Sequence, residues 1–167
     1  CVLKLTEGET LPRREPYDIM IGITQHRDND CQIASLLMAL QTRGVTVDEL
    51  LGFRDGLIET GKKVNLDDYN TLDIVGTGGD GKNTFNISTC SAFVIASCGY
   101  KVTKHGNGSA TSVSGASNVL QAHGVKFTDD ESQLRRSLDK TNFCYLHAPL
   151  FAYGMKYVGP TRRAMGI

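Results

Sequence analysis

The sequence predicts an α/β protein: a small all-helical N-terminal domain over residues 1–65, then a mainly parallel-sheet α/β domain over residues 66–167 that is truncated at its C-terminal end. Three observations predict it. Through roughly the first sixty residues, apolar side chains recur at three and four positions, the period of a helix face. From Leu72 onward, short apolar runs alternate with Gly-bounded helical stretches, which is the rhythm of β-α-β units. Nine of the 18 glycines fall between Gly76 and Gly124, and that concentration places function there.

The elements follow in order. Thr10-Leu11-Pro12 opens a first helix with Pro at its first position and Ile19, Met20 and Ile23 on its inner face, although Pro16 one turn in removes a helical donor. Ile33, Leu36, Leu37 and Leu40 form a second helix behind an Asp30 cap, stopped by Gly44. Thr46 and Glu49 have capping-box spacing, and Leu50, Leu51, Phe53, Leu57 and Ile58 follow on one side until Gly61. Then come a strand over 72–75, a helix over 88–98, a strand over 100–103, a helix over 114–123, a brief strand over 125–127, an acidic-capped helix over 130–138 and a strand over 143–147. Parallel strands are the natural result. Such a sheet closes only when its outer strands are covered, and no terminating element is visible before Ile167, so the chain is expected to be cut short. There is no internal repeat.

Composition narrows the partners. With 18 basic and 18 acidic side chains there is no global field for nucleic acid or anionic lipid, so anion binding must come from local geometry. The longest apolar runs, such as 33–40, are far short of a membrane span. A small-molecule partner is expected, with no nucleic acid and no membrane. The five cysteines are odd in number and lack C-x-x-C spacing, which speaks against a disulfide framework or zinc site and for a cytoplasmic location. No secretory signal is expected in the stretch after Cys1, and the missing initiator Met suggests a processed or trimmed start.

After the strand over 72–75 comes Gly76-Thr77-Gly78-Gly79-Asp80-Gly81, where backbone N–H groups can turn inward on a phosphate. These letters satisfy G-x-G-x-x-G, but a dinucleotide site wants an acid about 20 residues later. No Asp or Glu occurs from Gly81 through Thr128, so the nicotinamide reading fails. A Walker loop fails for want of Gly-Lys-Ser/Thr. From Asn83 to Asn118, fifteen of thirty-six residues are Ser, Thr or Asn, with only Lys101 and Lys104 ionised. Asn86, Ser88 and Thr89 stand at a helix start, where hydroxyls, free N–H groups and the dipole converge on phosphate oxygens. Plain capping by Ser88 is the simpler reading of one such residue; three donors after a glycine nest favour a ligand. In the next loop, Lys104 offers a point charge and Asn107 and Ser112 neutral donors. Both loops lie at carboxyl ends of neighbouring strands and would face one crevice. His105 by itself reads as a loop residue, Lys82 and Lys101 as solvated, and His26, His123 and His147 receive no role because none has a partner cluster.

Together, Asp73-Ile74-Val75-Gly76-Thr77-Gly78-Gly79-Asp80-Gly81, Asn86-Ile87-Ser88-Thr89 and Lys104-His105-Gly106-Asn107 resemble the anthranilate phosphoribosyltransferase family of tryptophan biosynthesis. The likeness extends through Ser112-Val113-Ser114-Gly115, Ala148-Pro149-Leu150 and Pro160-Thr161-Arg162-Arg163 and covers nearly the whole chain; the family's downstream half is absent. The resemblance implies a helical domain that makes a homodimer, and an α/β domain that binds phosphoribosyl diphosphate with Mg²⁺. Gly76, Gly79, Asp80, Thr84, Asn86, Ser88, Thr89, Lys104, Asn107 and Ser112 match the family's phosphoribosyl diphosphate positions, and Ser88 also its metal-ligand position. His105, inside the second motif, joins the substrate-binding set. Asn107 and Arg162 match positions that contact anthranilate, and a guanidinium suits a planar carboxylate. The family usually has Arg where Gly108 stands and His-Pro where Ala152-Tyr153 stand, both near the acceptor pocket. Its acidic pair for a second Mg²⁺ would lie beyond Ile167, so the 167-residue stretch alone is expected to be inactive. Two other functions compete: a pyrimidine nucleoside phosphorylase-like enzyme, and a non-catalytic phosphosugar-binding protein.

Overall fold

The computed structural model describes residues 1–76, 85–108 and 115–167. In chain order these form α1 (Val2–Thr6), α2 (Arg14–Thr24), α3 (Asp30–Arg43), α4 (Val47–Thr60), a 3₁₀ turn (Asp67–Tyr69), α5 (Ile87–Ser97), β1 (Val102–Gly106), α6 (Ala116–Ala122), α7 (Glu131–Thr141), β2 (Phe143–His147), α8 (Ala148–Phe151) and α9 (Tyr153–Met165). They make two compact units: Cys1–Lys62 with Ala152–Ile167, and Lys63–Phe151. The expected division put all of 66–167 in the α/β part; instead α9 returns to the helical unit. The packing explains it. Val158 of α9 joins Ile23 and Ile33 in one buried cluster, and Gly154 lies so close that a Cβ there would come within 2.7 Å of Leu57 and 2.8 Å of the Met20 sulfur.

In the helical unit, α2 begins at Arg14, so Pro16 falls in the first turn, where a helical N–H has no intrahelical partner and its loss costs little. Met20 and Ile23 face inward as expected. The cap of α3 is Asn29 and not Asp30: Asn29 Oδ1 accepts from Gln32 N at 3.0 Å, while Asn29 N donates to Gln32 Oε1 at 2.9 Å. A reciprocal box needs Gln or Glu three residues on, which Asn29 has and Asp30 lacks. The Thr46–Glu49 box of α4 forms as expected. Its inner face does not. Leu50 and Ile58 are 62% and 51% exposed, and the buried positions are Glu49, Gly52 and Gly56. Glycines at that spacing let α4 approach α2 at backbone distance, so Leu50 and Ile58 lie outside the contact, while Phe53 packs on the Leu36–Leu40 cluster and Leu57 lies beside Gly154.

In the second unit, β1 and β2 pair in parallel, with Val102 opposite Phe143 and Gly106 opposite His147. The strand expected over 72–75 is reduced to a parallel bridge between Leu72 and Val102, made by Leu72 N donating to Lys101 O and Thr103 N to Leu72 O. β1 starts two residues later than the sequence suggested, while β2 keeps the expected bounds. Residues 125–127 form no ladder among the described residues; Val125 N donates to Leu120 O and the Val125 and Phe127 side chains pack on the core. Phe143 and Tyr145 join Ala92, Ala96, Val102 and Leu120 on one sheet face, and Cys144 joins Leu66, Leu134 and Leu138 on the other. That alternation is the strand's period of two. Lys101 is not merely solvated: its ammonium donates to Leu138 O near the end of α7 at 2.9 Å, where a cation is favoured. Residues 63–70 belong to this unit, held by Arg135 donating to Asp68 at 2.8 and 2.9 Å and to the Asn65 carbonyl at 2.7 Å. All five cysteines are free, four exposed and Cys144 buried. No described helix is long and apolar enough to cross a membrane.

Candidate functional site

The carboxyl ends of the Leu72 bridge and β1 meet the start of α5. Asn86 caps α5, its side-chain oxygen accepting from Thr89 N at 3.3 Å and from Thr89 Oγ1 at 2.7 Å. The capping role considered for Ser88 therefore belongs to Asn86, which leaves the Ser88 hydroxyl one residue into the first turn and available for another task. In that turn Ile87 N donates to Phe85 O, Thr89 N to the Asn86 side chain and Cys90 N to Asn86 O, so the Ser88 N–H is the one without a partner among the described residues, at the positive dipole end.

Lys104 is the largest fully buried side chain of the described residues. Its ammonium donates to Ile74 O at 2.6 Å and to Ser88 Oγ at 3.4 Å. Three segments of the expected site are thus tied by one cation: the residue pair before the glycine loop, the first turn of α5, and β1. Burial pushes the Lys104 ammonium below its usual pKa, and the nearby Asp73 carboxylate opposes that shift. An ammonium has three N–H donors. Two of them go to these partners among the described residues.

Beside it, Asp73 grips His105 twice. The carboxylate can only accept, so His105 Nδ1 carries a proton and donates to Asp73 Oδ2 at 2.6 Å, with His105 N donating to Asp73 Oδ1 at 3.4 Å. Asn107 folds on its own turn, accepting from Gly108 N at 2.7 Å. Gly108 is lined by Asn118, whose Oδ1 would sit 3.4 Å from a Cβ. At Gly76 a Cβ would stand 3.9 Å from the Ser88 hydroxyl, an ordinary contact. Among the expected residues, Gly79, Asp80, Thr84 and Ser112 lie outside the described residues. Arg162 is on α9 in the helical unit, exposed, with Nε donating to Ile167 O at 3.0 Å.

Two features are not readable from the sequence. Asp73 sits inside the first motif, yet its partner is thirty-two residues away and becomes visible only when the Leu72–Val102 bridge places the segments side by side. His147 has no partner cluster nearby in sequence; in the fold it has one in Ser117 and the Phe127 ring. No local signal joins residues so far apart.

Similarity to known proteins agrees with this geometry. A family model described as the glycosyl transferase family, helical bundle domain, matches residues 1–61, and another described as the glycosyl transferase family, a/b domain, matches residues 68–167. The chain belongs to the glycosyl transferase family. Among glycosyl transferase family relatives, the anthranilate phosphoribosyltransferase of Phocaeicola vulgatus is 51% identical over 164 residues, covering 98% of this chain and 50% of the relative. The crystal structure of anthranilate phosphoribosyltransferase from Thermus thermophilus superposes with a TM-score of 0.85 at 34% identity, over 99% of this chain and 50% of that one. The Saccharomyces cerevisiae enzyme in complex with PRPP and Mg superposes with a TM-score of 0.86 at 30% identity, over 99% and 50%. The chain therefore spans about half the length of these members of the family, and the resemblance drawn from its motifs holds.

Proposed function

We propose that this chain supplies the donor-binding part of an anthranilate phosphoribosyltransferase, which moves the phosphoribosyl group of phosphoribosyl diphosphate to anthranilate with release of diphosphate. The observation that carries the reading is the Lys104 clamp, which joins both phosphate motifs at the first turn of α5. Likeness to a solved relative in complex with PRPP and Mg supports the donor, and the relatives' shared name supports the acceptor.

In this reading the diphosphate lies over the α5 N-terminus. The Ser88 backbone N–H and hydroxyl and the Lys104 ammonium donate to its oxygens, with Gly76, Gly79, Asp80, Thr84, Asn86, Thr89, Asn107 and Ser112 shaping the cradle. Hard cations take oxygen ligands and Mg²⁺ keeps few from protein, so a lone serine hydroxyl beside a diphosphate is a fitting donor set. Ser88 would hold Mg²⁺, which when bound neutralises charge on the leaving diphosphate. Arg162 pairs the anthranilate carboxylate. His105, held by Asp73, offers a ring nitrogen to the bound substrates. The aniline-type amine is neutral at pH 7, so positioning and stabilisation of the leaving group suffice and no strong base is needed. The active form is a cytoplasmic homodimer joined through the helical unit; the exposed Val47, Leu50 and Ile58 of α4 provide an apolar face for that contact.

The test is to mix the full-length protein with anthranilate, phosphoribosyl diphosphate and Mg²⁺ and follow the loss of anthranilate fluorescence. Loss that requires all three is expected; none contradicts the proposal. Lys104→Met keeps the buried stem and removes the clamp, and is expected to lower kcat/KM about 100-fold, a loss of about 2.7 kcal/mol for a buried charge-assisted network. Circular dichroism should show the fold retained.

A further inference from the structure

Beneath the second motif lies a hydrogen-bonded cluster that the proposed chemistry does not use. Ser117 is the second residue of α6 and 3% exposed. Its hydroxyl stands 2.8 Å from the Tyr145 hydroxyl and 2.9 Å from His147 Nδ1. Its backbone N–H donates to Asn107 O at 3.2 Å. Tyr145 in turn presses on the bend: a Cβ on Gly106 would come within 2.6 Å of the Tyr145 hydroxyl and 3.3 Å of the Ala116 Cβ. His147 is paired with Gly106 across the β1–β2 register and is stacked on Phe127, with ring centroids 4.5 Å apart.

Between Ser117 and Tyr145 either hydroxyl can donate, and the role of His147 Nδ1 follows its tautomer. In the neutral imidazole with its proton on Nε2, Nδ1 accepts from the Ser117 hydroxyl, whose oxygen in turn accepts from the Tyr145 hydroxyl. Burial holds the His147 imidazole below its usual pKa and so keeps it in this neutral form. In that tautomer the donors run from Tyr145 through Ser117 to His147, with the Asn107 carbonyl bonded to the backbone N–H of the same residue at the centre.

We propose that Ser117, oriented by Tyr145 and His147, is a positioning residue that holds the Gly106–Asn107–Gly108 bend in the register in which Asn107 meets the phosphoribosyl donor. It rests on the reading above that this bend takes phosphoribosyl diphosphate. The three residues touch neither substrate; they act through the bend.

The test is steady-state kinetics of the full-length protein with phosphoribosyl diphosphate as the varied substrate. Ser117→Ala and Tyr145→Phe are expected to raise its KM about tenfold, the equivalent of one buried hydrogen bond, with kcat within about twofold. His147→Asn places a carbonyl acceptor where Nδ1 stood and is expected to keep KM within about threefold of wild type. An unchanged KM in Ser117→Ala, whatever its melting temperature, overturns the positioning role, as does a KM in His147→Asn raised as far as in Ser117→Ala. If Ser117→Ala does not fold, the nearly isosteric Tyr145→Phe decides alone by the same KM criterion. An inactive wild type overturns the functional reading and this inference with it, whereas an active wild type with indifferent variants overturns this inference only.

Discussion

Glu49→Ala is expected to destabilise the helical unit by about 3–5 kcal/mol, the cost of leaving a buried partner charge uncompensated. The carboxylate is 0% exposed and accepts three hydrogen bonds: from Leu11 N at 2.8 Å, Arg43 Nη2 at 2.6 Å and Thr46 N at 2.8 Å. Truncation orphans two backbone N–H groups and a guanidinium that is only 15% exposed. Against the 5–15 kcal/mol that holds a typical domain, this is a large fraction. The same site carries a pH signature. Burial raises the Glu49 pKa, but the Arg43 guanidinium and the Leu11 and Thr46 donors outweigh it and hold the group at about 2, below its ordinary 4.5. A depressed folded pKa means the unfolded chain binds the proton more readily. The contribution is therefore complete above about pH 5 and is lost as pH falls through 4.5 toward 2. Urea melts of wild type and Glu49→Gln from pH 7 to pH 3 should converge as the pH drops. Parallel curves would contradict the assignment.

Gly52→Ala carries the second large effect, and its sign is decided by two opposed magnitudes. In a helix interior Ala is favoured over Gly by about 1 kcal/mol. Here a Cβ would overlap the Arg13 carbonyl oxygen and stand 3.0 Å from the Pro16 Cβ, and backbone cannot swing aside as a flexible side chain can. Overpacking of this kind costs about 1–3 kcal/mol and more when helices must separate. A net loss of about 2 kcal/mol is expected, read as a melting temperature lowered by roughly 4–8 °C. Gly56→Ala, facing Met20 Cβ at 2.7 Å and the Tyr17 carbonyl at 3.0 Å, should behave alike. Leu50→Ser, which leaves the α2–α4 contact untouched, should lower the melting temperature less than Gly52→Ala does.

These two residues also show where the sequence can be read and where it cannot. Thr46 and Glu49 announce a capping box, and the box is there; that Glu49 also receives Leu11 and Arg43 is a matter of chain segments far apart in sequence. Leucine spacing suggests the inner face of α4, yet the close approach to α2 selects for the residues with the least side chain, and glycine carries no periodic apolar signal. β2 is legible because Phe143, Tyr145 and their neighbours are β-formers bounded by turns. The segment over 72–75 is legible as apolar but not as to how few of its residues pair. In the site, residue types show that phosphate chemistry is possible. Asp73 with His105 emerges only once the Leu72–Val102 bridge is known, and Ser117 with Tyr145 and His147 only once the start of α6 lies beside β2, because the fold joins positions 28 to 32 residues apart.

The central claim is that the α5 N-terminus and the bend after β1 hold one phosphoribosyl diphosphate together. It is tested most directly by titrating the ¹⁵N-labelled protein with phosphoribosyl diphosphate and Mg²⁺ while watching backbone amides. Shared binding predicts that Gly76, Ser88, Thr89, Asn107 and Gly108 shift along a single saturation curve, and that Lys104→Met weakens all five in step. Shifts confined to one of the two segments, or none in a folded sample, would contradict it.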